Sequence, residues 1–139
     1  MADINFDTGL VEHNINGKCK VVFNPTDLSF AERIFNAFDA LDAKQDAYTS
    51  KIKEEDARTV FDTARVMDAE MRELIDEAFE APVSDAVFGK MNVYAVAGGL
   101  PGWCNLFLAV IDEMDSAFAR EKKQTNPRIQ KYVARYNRK

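Results

Sequence analysis

The residue types that could do chemistry are few in this chain: one histidine, His13, two cysteines, Cys19 and Cys104, and several groups of closely spaced acids. Cys104 heads a long apolar run, and a thiol in the first turn of a helix is acidified by the helix dipole and can become a nucleophile. Nucleophilic catalysis also needs a base, and nothing in the sequence brings His13 to it. Cys104 therefore reads as a buried thiol. His13 lies among apolar neighbours in an alternating segment, which gives it a structural place at the edge of a core. Cys19, in the same segment, reads as a small buried hydrophobe. One histidine and two distant cysteines with no CxxC pair are too few for a zinc site, so reduced thiols are expected.

The acids give no stronger signal. Asp39, Asp42 and Asp46 recur on neighbouring helical turns, but no histidine or compact loop accompanies them, so they read as a solvated face rather than a metal site. Asp76-Glu77 and Asp112-Glu113 could divide acid and base roles only if adjacent helical residues pointed the same way, which they do not. The glycine-rich stretch VAGGLPGWC, residues 96–104, matches neither GxGxxG nor GxxxxGK followed by Ser or Thr. No Lys or Arg lies between Lys90 and Arg120, and the stretch leads into Asp112, Glu113 and Asp115, so a phosphate cradle is not expected. It reads instead as a tight turn into a helix, with Pro101 in the first turn, where its missing donor costs nothing, and Trp103 packing that turn. No catalytic constellation, metal or cofactor is expected.

These residues are carried by recognisable elements. The first 23 residues read as β structure, because LVEHNINGKCKVVF alternates around Asn16-Gly17. A three-residue loop, Asn16 to Lys18, pairs Ile15 with Cys19, His13 with Val21 and Val11 with Phe23, and so puts the apolar residues on one face. Ser29 to Glu32 has capping-box spacing, which predicts a helix start near Leu28 to Phe30. The stripe Phe30, Ile34, Phe38, Leu41, Gln45, Tyr48 and Ile52 continues that helix. A second stripe, Val60, Ala64, Met67, Met71, Leu74 and Ala78, predicts a helix from Asp56 to Phe79. Ile52 and Val60 are about 80° out of phase, at roughly 100° per residue, which favours a break and an antiparallel pair of helices over one bent helix. Pro82 to Gly89 reads as a short helical turn. Trp103, Leu106, Phe107, Val110, Ile111, Met114 and Phe118 make the strongest stripe, on a helix from about Pro101 to Lys122 that is expected to be the centre of the core.

The fold class expected is therefore mainly α (α+β), an N-terminal β-hairpin and a bundle of three long helices with short helical segments. Residues 1–122 form one acidic domain, with the hairpin in 1–24 and the bundle in 28–122, and 123–139 form a basic C-terminal helix or arm. With 139 residues and 47% hydrophobic content, one core is affordable without metal or disulfides. Residues 1–119 carry 10 Lys and Arg against 22 Asp and Glu, a balance of -12, while residues 120–139 carry 8 against 1, a balance of +7. An acidic body repels nucleic acid, so the basic end is expected to meet an acidic protein surface, on its own body or on a partner. No stretch is apolar for long enough to span a bilayer, and the opening MADINFD lacks the pattern of a signal peptide, so an intracellular protein is expected.

The segments NPTDLSFAERIFNAFDALDAKQDAY at 24–48, VFGKMNVYAVAGGLPGWCNLFLAVIDEMD at 87–115 and TNPRIQKY at 125–132 resemble those of small tail assembly chaperone-like proteins of long-tailed phages and prophages of Gram-positive gut bacteria. The resemblance implies a non-enzymatic protein of the host bacterial cytoplasm that binds the helical tape measure protein, or the tail tube protein, during tail assembly. It implies no cofactor and no membrane or nucleic-acid partner. Phe35, Phe38, Tyr48, Leu106 and Phe107 would then offer apolar contacts to a partner helix. Arg128, Lys131, Tyr132 and Arg135 of the basic arm would add electrostatic capture or self-association. Two other roles fit the same acidic composition. One is an inhibitor of a host defence or nucleic-acid enzyme that uses Asp39, Asp42, Asp46, Asp76 and Glu77 as charge mimics; the other is a structural tail component.

Overall fold

The computed structural model describes residues 1–52 and 56–123. The arm with Arg128, Lys131, Tyr132 and Arg135, and the middle of the expected turn within 50–57, lie outside the described residues. The elements run β1 (Val11–Ile15), β2 (Cys19–Phe23), α1 (Leu28–Ile52), α2 (Ala57–Phe79), α3 (Val83–Phe88), β3 (Val96–Ala97), β4 (Leu100–Pro101) and α4 (Gly102–Lys123). This is the mainly helical α+β architecture expected from the sequence, with three long helices behind an antiparallel hairpin.

The β1–β2 hairpin has the register that burial demanded: Ile15 opposite Cys19, His13 opposite Val21 and Val11 opposite Phe23. Asn16 and Gly17 both take positive φ, and Lys18 N–H donates to Ile15 O at 3.0 Å, which closes the loop. Strand structure begins only at Val11, whereas β structure was expected from the first residue. The alternation starts at Leu10, and only the residues after it have a cross-strand partner. Residues 1–10 are held at their end by Asn24, whose Nδ2 donates to Thr8 O at 2.9 Å while its Oδ1 accepts from Thr26 N–H at 2.8 Å.

α1 starts where expected, but Asp27 and not Ser29 caps it. Asp27 Oδ1 accepts from Ser29 N–H at 2.9 Å and its carbonyl accepts from Ala31 N–H at 3.0 Å, so the first free donors are satisfied two residues earlier than the capping-box spacing suggested. Asp56 caps α2 in the same way through Thr59 N–H at 2.8 Å, and that hydrogen bond holds its carboxyl below the ordinary aspartate range. The two helices pack antiparallel: Arg33 of α1 reaches Ala78 O of α2, and Lys44 pairs with Glu70 at 2.8 Å. Phe30, Ile34 and Leu41 meet Met71, Ile75 and Phe79 in the core, with Val83, Val93, Trp103 and Phe107 completing it.

One polar cluster fastens the second half of the chain to α2. Arg72 Nε donates to Asp68 Oδ2 at 2.9 Å, Nη1 to Asp85 Oδ1 at 2.6 Å, and Nη2 to Gly89 O at 2.8 Å and Met91 O at 2.7 Å. Asp68 Oδ1 accepts from Val93 N–H at 2.7 Å. The Arg72 side chain is only 14% exposed. Burial works against its charge, but the Asp68 and Asp85 carboxylates outweigh that and hold it protonated more firmly than a free guanidinium. Next to it, Asp76 accepts from Ser84 N–H at 2.8 Å and Ser84 Oγ at 3.0 Å, so a carboxylate considered for acid–base work instead fixes the fully buried Ser84 in α3. Tyr94 hydroxyl donates to Ala64 O at 2.7 Å, and burial beside Tyr48 pushes its pKa up.

Two outcomes are expected from this packing. Arg72→Met removes the guanidinium from Asp68, Asp85 and two loop carbonyls, and should lower the unfolding free energy in urea by about 3 kcal/mol. Because the raised Tyr94 pKa favours the neutral phenol in the folded state, its contribution to stability is complete below an ordinary phenol pKa of about 10 and is lost as pH rises through the higher folded value. Stability measured in alkaline urea series should therefore fall as pH rises above about 10, and less steeply in Tyr94→Phe.

Candidate partner-binding groove

Between the hairpin and α4 lie two hollows, one of about 420 Å³ reaching His13, Phe23, Val110 and Glu113, the other of about 360 Å³ walled also by α3 and the loop after it and reaching Val87, Met91 and Val96. Ile15, Asn16, Leu106 and Ala109 line both, so the two hollows form one groove. The cause is local: β2 sends Val21 and Phe23 into the core, while α4 turns the small Ala109 and half-buried Glu113 toward β1.

His13 is the polar feature of this groove. Its ring stacks on Phe23 with centroids 3.9 Å apart and planes 7° from parallel, and Phe23 stacks in turn on Phe30 at 4.1 Å. Both ring nitrogens are shielded from water, and neither has a hydrogen-bond partner among the described residues. Nε2 stands 3.9 Å from Glu113 Oε1, too long for a hydrogen bond, and that oxygen already accepts from Arg120 Nη2 at 3.0 Å. The His13–Phe23 contact was legible in the register, since the pairing makes the two diagonal neighbours on one face.

Cys104 lies elsewhere, on the side of α4 toward α1. Burial raises its thiol pKa and the Asp42 carboxylate adds to that, the reverse of the acidification a nucleophile needs. Among the described residues no three His, Cys, Asp or Glu side chains cluster in a way that could hold a metal ion. The geometry offers shape and apolar surface with a few polar atoms, which suits binding.

The residues expected to contact a partner are divided by the fold. Phe35 is exposed on α1, away from the groove. Phe38 is half-buried with its ring edge-on to Trp103 at 5.3 Å. Tyr48 is buried beside Tyr94, and Phe107 is completely covered between Trp103 and Phe79. These two are core and cannot present a surface, because Phe79 at the end of α2 covers Phe107 and Tyr94 of the loop before β3 packs beside Tyr48. Leu106 is also buried but forms the groove floor. Ile15 and Ala109 were missed, since a residue in a strand and one on a distant helix carry no sequence sign of facing each other.

The glycine stretch supplies one end of the groove. Gly98 and Gly99 both have positive φ and form the turn between β3 and β4. Pro101 pairs with Val96 in β4, and the helix starts one residue later than expected, at Gly102. The entry is fixed by two backbone bonds at 2.8 Å each, Gly102 N–H to Ala95 O and Trp103 N–H to Val93 O. Two backbone donors of the stretch, those of Gly102 and Trp103, are thereby occupied. A Cβ on Gly102 would lie 2.8 Å from the Phe88 ring and 3.2 Å from Val93 O, so only glycine fits there without displacement.

The thiols provide a check on this arrangement. At pH 8 iodoacetamide should alkylate half-buried Cys19 at least about tenfold faster than Cys104, and Asp42→Asn should speed the Cys104 reaction, as read by peptide mass spectrometry. Comparison of the chain with protein-family models, with curated proteins and with solved structures returned no match.

Proposed function

We propose that this protein is a non-enzymatic binding protein of the tail assembly chaperone type, which holds a helical segment of the tape measure protein in the groove between the hairpin and α4. The observation that carries the reading is the continuity of the two hollows over Ile15, Leu106 and Ala109, which makes an elongated and mostly apolar trough. His13 lines one end of the trough, with its ring stacked on Phe23 and Nε2 3.9 Å from Glu113 Oε1. The resemblance of residues 24–48 and 87–115 to tail chaperone-like proteins supports the choice of partner. No helix among the described residues is long and apolar enough to cross a membrane.

The test is capture of purified tape measure protein by the full chain. Ala109→Trp fills the groove at the point where the hollows meet and, since Ala109 is exposed, leaves the core intact; binding should weaken by at least about tenfold, the loss of one well-placed contact. Phe61→Ala, on the exposed side of α2, should bind as the unaltered chain does. A folded protein that captures neither the tape measure nor the tube protein would overturn the proposal.

A further inference from the structure

Residues 1–6 stand off the body of the protein with their apolar side chains uncovered: Ile4 is 88% and Phe6 77% exposed. The residues after them are fixed. Asp7 Oδ1 accepts from Gly9 N–H at 2.8 Å, Thr8 O accepts from Asn24 Nδ2, and Gly9 has positive φ. Asp7 and Gly9 thereby sit by Ala117 and Arg120 of α4, about one turn beyond Glu113, the last α4 residue lining the groove. To enter the groove of its own chain, the segment would have to reverse at residues 7–9 and give up these hydrogen bonds. A second copy can accept it without that reversal.

Segment and groove match in length, shape and charge. Extended, residues 1–6 cover about 20 Å at roughly 3.3 Å per residue. The α4 wall of the groove, from Gly102 to Glu113, is about 17 Å long. Ile4 and Phe6 are two residues apart and so point to one side of an extended chain, and the groove offers two adjoining hollows. Asp3 and Asn5 then take the other side. Of the acids lining the groove, Glu12 pairs with Lys20 at 3.5 Å and Glu113 with Arg120 at 3.0 Å. Lys18 is the one lysine or arginine among the described residues that lines it, and it is exposed at the end away from Glu113. An apolar segment that carries Asp3 complements that wall.

We propose that two copies of this chain exchange residues 1–6 reciprocally, each segment lying extended in the other's groove. Phe6 enters the hollow beside His13 and Phe23, Ile4 enters the hollow beside Val87 and Met91, and Asp3 pairs with Lys18 across the interface. Each segment starts from the Glu113 end of its own groove and enters the other groove at the same end, so one two-fold axis near that end satisfies both contacts and closes the assembly as a dimer. This goes beyond tape measure binding: the dimer covers the groove with a segment of the same chain until a helix displaces it.

The experiment is sedimentation velocity of the full chain with no other protein present. A dimer is expected, and its dissociation constant should rise at least about tenfold in Phe6→Ser, which removes a buried aromatic contact from each groove. Lys18→Glu and Asp3→Lys should each raise it about fivefold, and the double variant Asp3→Lys/Lys18→Glu should return it to that of the unaltered chain. All these side chains are exposed, so the fold of each copy is retained. A monomer up to about 1 mM, a dimer indifferent to Phe6→Ser, assemblies larger than a dimer, or a double variant as weak as the single ones overturns the proposal. Since tape measure protein is absent throughout, failed dimerisation and failed capture are read separately.

Discussion

The arrangement of this protein depends on the guanidinium of Arg72. A single side chain of α2 ties together its own helix through Asp68, the start of α3 through Asp85, and the following loop through the carbonyls of Gly89 and Met91. Asp68 then takes the amide of Val93, whose carbonyl accepts from Trp103 N–H in the first turn of α4. The indole of Trp103 closes the circuit on α1 by donating to Gln45 Oε1 at 2.5 Å. A chain of charge-assisted and backbone hydrogen bonds thus sets the position of α4 against the α1–α2 pair. Apolar burial alone would hold these elements together without fixing their depth or rotation.

With α4 placed, the rest of the surface follows. Its apolar side is wide enough to meet α1 and α2 in the core and still offer Leu106, Ala109 and Val110 toward the hairpin. Seated by Phe23 on Phe30, the hairpin spans this side without filling it, and the groove is the space left over. On the opposite flank α4 meets α1 edge to edge, which leaves the line of Phe35, Leu108 and Phe118 without a covering element among the described residues. One helix therefore generates two surfaces of different character. The groove has few charges, and the outer face, where Phe35, Leu108 and Phe118 are exposed, is bordered by Asp39, Asp42 and Asp115.

Much of the architecture was legible because it rests on local periodicity. The register of the hairpin followed from asking which pairing leaves His13, Val21 and Phe23 on one face, and the bounds of α2 from its stripe. Boundaries failed by a residue or two where competing local chemistry was available. Asp27 offered a better-placed acceptor than Ser29, and the Gly98-Gly99 turn drew Pro101 into a strand pair before the helix could begin. The candidate contact residues were less legible. An apolar residue such as Phe107 has the same sequence signature whether its face meets a partner or the core, and only the packing of α1 and α2 around it decides.

The sequence by itself determined the elements, the pairing of the hairpin, the separation of an acidic body from a basic end, and the lack of any residue set spaced for nucleophilic or phosphate chemistry. These are properties of neighbours within a few turns or across one tight loop, where side-chain period and backbone conformation are sufficient. Tertiary structure alone decided that Arg72 is the fastening point, that Asp76 serves Ser84, that Glu113 stands near His13, and that Ile15 and Ala109 share a groove. Each of these joins groups from different elements, and their meeting depends on the depth and rotation at which helices pack, a quantity no stretch of sequence encodes locally.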